Sequence, residues 1–173
     1  MLVCVVALTA TAGNGLYIGA GAAYQFVPTF QQGTSCNLAP AAEIGYNGYY
    51  FNLGCSGSFN KENSMFSFDM NGRLMLNDYV GFLVGGGYGL VYNKTEFSTP
   101  DGDYETSGYM GWPHINLALE ANVTNNLGFK LTAALGYGRY SFDRYDYYDY
   151  YDHYGYEGWH ASSQIRAVLT WTF

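Results

Sequence analysis

The sequence predicts an all-β fold: an eight-stranded antiparallel up-and-down transmembrane β-barrel. Three observations predict it. From residue 15 onward apolar residues recur at every second position, the signature of strands with two unlike faces. The connections between these segments alternate between tight turns and longer polar stretches. Charged residues are only 12% of the 173 residues, while 49% are apolar and 19% aromatic; a soluble domain usually carries about 25% charged residues.

Residues 1–12 read as a secretory signal without a basic n-region, and 13–173 as the barrel domain. The apolar stretch Leu2 to Leu8 is followed by Ala10-Thr11-Ala12, a small-x-small cleavage pattern. Processing would remove Cys4 and carry Cys36 and Cys55 into an oxidising compartment where they could pair. Strands are expected at 15–27, 40–47, 49–59, 64–76, 79–93, 107–123, 127–142 and 158–173. The last is the clearest: Ile165, Ala167, Leu169, Trp171 and Phe173 oppose Gln164, Arg166, Val168, Thr170 and Thr172. In 127–138, Phe129, Leu131, Ala133, Leu135 and Tyr137 oppose Lys130, Thr132, Ala134 and Gly136. In 114–123, Ile115, Leu117, Leu119, Ala121 and Val123 oppose His114, Asn116, Ala118, Glu120 and Asn122.

Tight turns are expected at Asn47-Gly48 (a type I′ hairpin signal), Asn77-Asp78 and 124–126, and longer connections at 28–39, 60–63, 94–106 and 143–157. Short turns at one end and longer loops at the other are the pattern of a membrane barrel with periplasmic turns and extracellular loops. No run of 18 apolar residues exists, so a membrane-spanning helix has no candidate.

The face assignment follows from the charges. The polar face holds Gln25, Glu43, Asn52, Asp69, Arg73, Asn116, Glu120, Lys130, Gln164 and Arg166, with small residues between them. Its acids (Glu43, Asp69, Glu120) balance its bases (Arg73, Lys130, Arg166). Eight strands enclose an interior just wide enough to be filled by side chains, and buried charges must be paired. The polar face therefore points inward as a lumen charge network, and the apolar face meets lipid. A soluble lipocalin-type barrel would reverse both faces. Tyr17, Tyr46, Tyr79, Tyr92, Tyr109, Trp112, Trp159 and Trp171 fall near strand ends, as interfacial aromatic girdles do.

With these features together, the chain resembles the small outer-membrane barrels of Gram-negative bacteria, the group of the OmpA transmembrane domain, OmpX and the opacity proteins. The carrying residues are the signal-like start, GLYIGAGAAY at 15–24, GFLVGGGYG at 81–89 and VLTWTF at 168–173. The resemblance implies an integral monomer of the outer membrane, with lipid and lipopolysaccharide as neighbours. It also implies that the terminal pattern with Trp171 and Phe173 is an assembly signal read by the barrel-assembly machinery. Envelope integrity, adhesion or contact with a host or cell-surface ligand is the role expected.

Residues 143–158, DRYDYYDYYDHYGYEG, form the last long connection. Three readings stand side by side: a solvated acidic loop; a recognition surface made by Tyr147, Tyr148, Tyr150 and Tyr151 with Asp146, Asp149 and Asp152, since tyrosine gives contact area at small entropy cost; and a divalent-cation site of carboxylates, whose spacing matches no known Ca²⁺ loop.

The main enzymatic alternative is a lipid A-modifying hydrolase. His160-Ala161-Ser162 has the His-x-Ser spacing in which an imidazole activates a hydroxyl, and Glu157 is near. His160 and Ser162 share the lumen face with Gln164 and Arg166, however, whereas a lipid-acting serine must face lipid. A narrow porin-like pore is a third reading, although wide aqueous channels need about 16 strands. No cofactor or metal is expected, and the net charge of −7 argues against nucleic acid as a partner.

Overall fold

The structure is a computed structural model that describes residues 14–28, 34–99, 102–143 and 156–173; the signal call at 1–12 lies outside them. Eight strands follow one another in chain order: β1 (Gly15–Pro28), β2 (Thr34–Asn47), β3 (Phe51–Phe59), β4 (Asn63–Met75), β5 (Val80–Thr99), β6 (Gly102–Asn122), β7 (Leu127–Asp143) and β8 (Tyr156–Thr172). Each pairs antiparallel with its sequence neighbours, and β8 returns to β1 to close the barrel. Closure leaves no sheet edge in the hydrocarbon, where an unpaired backbone group has no water to bond.

The faces are arranged inside out. Leu117 and Leu169 are 57% and 61% exposed, whereas Glu120 and Arg166 are 4% and 2% exposed. All ten residues assigned to the polar face are buried. This is the packing of a transmembrane barrel, whose greasy side chains turn outward to acyl chains.

Aromatics mark two levels on the exterior. Tyr79 and Trp171 lie near the short-turn end, while Tyr92, Tyr109 and Trp159 lie toward the other, all of them exposed. On β8, Trp159 and Trp171 are twelve residues apart. At about 3.3 Å per residue and a tilt of about 40°, that is roughly 30 Å along the barrel axis, one hydrocarbon thickness. Two members of the expected girdle belong elsewhere: Tyr17 and Trp112 are each 1% exposed and point into the lumen.

Strand length, rather than loop length, distinguishes the two ends. β5 and β6 have 20 and 21 residues, and β7 and β8 have 17 each, where about 9–11 suffice to cross a bilayer. The expected loop at 94–106 is therefore mostly ladder, paired as far as Thr99 with Gly102. β4 accompanies β5 only to Asn63 with Asn93, so the β5–β6 hairpin rises beyond its neighbours. The expected loop at 28–39 also shrinks, because β2 begins at Thr34. Pro40 pairs with Ala22 on β1, while the β2–β3 ladder starts only at Ala41, so the missing proline N–H breaks no bond on that side. The 60–63 connection closes tightly, Asn60 donating its N–H to the Asn63 carbonyl at 2.8 Å.

At the opposite end the turn after β2 is not type I′. Its connection is 48–50, with the Gly48 N–H bonded to the Phe51 carbonyl at 2.8 Å. Among the described residues Gly15 is the one glycine with a positive φ, and a type I′ turn needs two such positions.

Candidate functional site

The lumen is filled in layers. At the short-turn end Arg73 grips Glu120: its Nε donates to Oε2 at 2.9 Å and its second terminal nitrogen to Oε1 at 2.6 Å. The same guanidinium also donates to the Gly48 carbonyl at 3.0 Å and to the Asn14 side chain. A planar fork meeting a carboxylate with two parallel bonds is the strongest arrangement available to a buried ion pair.

The middle layer joins the other four charges. Lys130 Nζ donates to Glu43 Oε1 at 2.5 Å and lies 3.1 Å from the Tyr17 hydroxyl, which itself donates to Glu43. Arg166 stands between two carboxylates, 3.2 Å from Glu43 and 3.4 Å from Asp69. His114 Nε2 meets Asp69 Oδ1 at 2.6 Å, and its ring stacks on Trp112 with centroids 4.1 Å apart. All six charges read from the sequence thus enter ion pairs, and His114 joins them as a seventh member.

Two lumen aromatics fit because glycines lie opposite them. A Cβ at Gly45 would stand 2.6 Å from the Tyr17 hydroxyl oxygen, and one at Gly136 would stand 2.1 Å from Trp112 Nε1. The Trp112 indole also donates to the Ser162 carbonyl at 3.3 Å. Above Trp112 the lumen holds an apolar cluster, Val27, Met65, Val91, Met110 and Tyr140, beside the buried and mutually bonded Asn63 and Asn93. A filling of paired charges and short residues was the expectation. The alternation already carried the correction for four of the six: Met65 has the parity of Asp69 and Arg73 on β4, Met110 and Trp112 that of Glu120 on β6, and Tyr140 that of Lys130 on β7.

The His-x-Ser constellation does not assemble. Ser162 is 2% exposed on the lumen side, and its Oγ has no hydrogen-bond partner among the described residues. His160 stands edge-on to Tyr140 at 6.2 Å. Glu157 pairs through its backbone with Ser141. A serine that neither donates its hydroxyl proton to the imidazole nor faces lipid lacks the geometry for attack on an acyl ester.

Cys36 and Cys55 are both free thiols on the outer surface. Cys55 pairs with Ile44, eight residues along β2 from Cys36, a separation of about 27 Å. A disulfide requires Cα atoms within about 7 Å, so these two cysteines, whose pairing the sequence left open, do not pair within the chain. Trp171 and Phe173 are exposed at the closing strand. Tyr147, Tyr148, Tyr150, Tyr151, Asp146, Asp149 and Asp152 lie outside the described residues. Among the described residues no group of three or more metal-ligating side chains comes together.

Neither a protein-family model nor a curated protein matches the chain. Among solved structures, the crystal structure of Neisserial surface protein A (NspA) is similar, with a TM-score of 0.54 at 14% sequence identity, covering 92% of this chain and 97% of that one. The likeness shows a shared fold, the closed eight-stranded antiparallel barrel.

Proposed function

We propose that this chain is an integral outer-membrane protein of a Gram-negative envelope, with a closed lumen and a structural or surface-contact role. The observation that carries the reading is the pairing of an apolar exterior, about one hydrocarbon layer tall, with an interior occupied by buried ion pairs, an apolar cluster and hydrogen-bonded polar side chains. A filled lumen leaves the long hairpins and the exterior as the working surfaces. The Tyr- and Asp-rich segment 144–155, joining β7 to β8, supplies the recognition surface for a host or neighbouring cell. Lipopolysaccharide surrounds the upper girdle, and the terminal Trp171 and Phe173 present the assembly signal. Catalysis has no support from the His160–Ser162 geometry.

The test has three arms. The folded protein in detergent migrates faster than its boiled form in SDS gels, as closed barrels do. Planar bilayers containing it show no steady conductance. Deleting 145–156 abolishes surface binding while leaving the gel shift intact. A single band at the unfolded position before and after boiling contradicts the reading.

A further inference from the structure

The His114 ring sits between two groups that only accept hydrogen bonds. Its Nδ1 lies 3.0 Å from the Trp112 carbonyl oxygen, and its Nε2 lies 2.6 Å from Asp69 Oδ1. A carbonyl and an ionised carboxylate have no proton to donate, so each ring nitrogen has to supply one. A neutral imidazole has a single N–H and would leave one of these contacts between two bare acceptors. The His114 and Asp69 side chains are 0% and 6% exposed, so bulk water does not relieve the mismatch.

The fold brings this pair together across an intervening strand. Asp69 on β4 and His114 on β6 both stand in register with Gly87 on β5. A Cβ at Gly87 would lie 2.7 Å from Asp69 Oδ1 and 2.8 Å from His114 Nε2. The missing side chain is what lets the two meet.

The charges around the ring form an alternating chain. Lys130 on β7 meets Glu43 on β2; Arg166 on β8 lies 3.2 Å from Glu43 and 3.4 Å from Asp69; Asp69 meets His114. Along it the signs run plus, minus, plus, minus, and the ring takes the fifth place. The other buried pair, Arg73 with Glu120, is closed on itself. Gly87 and Gly136 register with His114 on β5 and β7, and Ser162 follows on β8; none of them brings a charge. A proton placed on Asp69 instead would leave Arg166 against a neutral acid, and a buried cation needs its counter-charge.

We propose that His114 holds a structural proton, as a buried imidazolium inside the lumen, and that this proton latches Trp112 across the barrel. The cationic ring stacks on the indole with centroids 4.1 Å apart and planes at 27°, a favourable meeting of charge and π-face. Its Nδ1–H ties the Trp112 backbone. The indole in turn reaches over Gly136 and donates to the Ser162 carbonyl on β8 at 3.3 Å. The inference concerns the plug and is independent of the surface role proposed above.

The experiment uses the full chain, with ¹⁵N-labelled histidine and fluorotryptophan, in phosphatidylcholine nanodiscs at pH about 7.5, where an ordinary imidazole is mostly neutral. The His114 signals are assigned by their loss in His114→Gln, and the Trp112 signal by its loss in W112F. Two proton-bearing ring nitrogens are expected at His114, with a single fluorine line for Trp112. Asp69→Asn replaces the acceptor by an amide that can donate to Nε2, so the ring proton passes to the buffer. One N–H signal is then expected to vanish and the Trp112 line to shift or split. A bare ring nitrogen in the wild type overturns the proposal, and so does an Asp69→Asn ring that keeps both protons. An unmoved Trp112 line beside a neutral ring overturns the latch. Every sample is first checked for the SDS-gel shift of a closed barrel. If Asp69→Asn lacks it, the wild type carried into alkaline buffer decides: the N–H loss and the Trp112 change must come together. A wild type without the shift counts against the membrane-barrel reading instead.

Discussion

Substituting Arg73 with methionine tests the lumen network where it is most nearly a single pair. Methionine keeps much of the volume but removes two charge-assisted bonds to Glu120, at 2.9 and 2.6 Å, and the bond to the Gly48 carbonyl at 3.0 Å. Glu120 would remain buried with only the Asn47 amide, at 3.5 Å. Stranding one charge of a buried pair costs about 3–5 kcal/mol, a shift of a hundredfold to a few thousandfold in the folding equilibrium. Replacing both partners, R73M with Glu120→Leu, removes the uncompensated charge and is expected to restore most of that loss. The coupling energy from the double-mutant cycle is therefore expected to exceed about 2 kcal/mol. Urea titration of the barrel in phosphatidylcholine vesicles, followed by tryptophan fluorescence, measures all four corners. A single R73M variant within about 0.5 kcal/mol of wild type, or a double variant no better than the single, would refute the claim that these charges are desolvated and mutually dependent.

Leu117→Arg, on the outer face near the middle of the band, is expected to cost about 2–4 kcal/mol in the same titration; in a water-exposed exterior it would cost almost nothing. Gly136→Ala places a methyl against the Trp112 indole and the Pro113 carbonyl, which a Cβ would approach to 2.1 and 2.5 Å. An overpacking loss of about 1–3 kcal/mol is expected, with a shifted tryptophan emission maximum. A membrane-permeant maleimide is expected to label both Cys36 and Cys55 in the oxidised protein, and a labelling stoichiometry of zero at the two sites would mean that the strand register is wrong. Ser162→Ala is expected to leave the acylation pattern of lipid A unchanged, as read by mass spectrometry of extracted lipid.

The alternation of side chains made the fold legible in the sequence, because period two assigns every residue of a strand to a face once one is placed. Arg166 and Lys130 fixed the inward face of β8 and β7, and the buried charge partners followed from the requirement of neutrality. Tyr17 and Trp112 were misplaced where position near a strand end was allowed to outweigh parity: Trp112 shares its face with His114, and Tyr17 with Gln25. The hairpin lengths were not legible for a different reason. Beyond the bilayer neither face of a strand meets hydrocarbon, so the apolar alternation fades although the backbone ladder continues from Asn93 to Thr99. Polar composition then resembles a loop. Which lumen partners meet was likewise beyond the sequence, since Lys130 and Glu43 are 87 residues apart and come together only through the barrel's closure.

The most direct test of the inside-out arrangement is a cysteine scan of residues 164–170 on β8, in a background with Cys36 and Cys55 replaced by alanine, each position carrying a spin label in phosphatidylcholine vesicles. Collision with dissolved oxygen, which concentrates in hydrocarbon, is expected to be high at 165, 167 and 169 and low at 164, 166, 168 and 170. A flat profile, or one with the even positions more accessible to oxygen, would contradict the account.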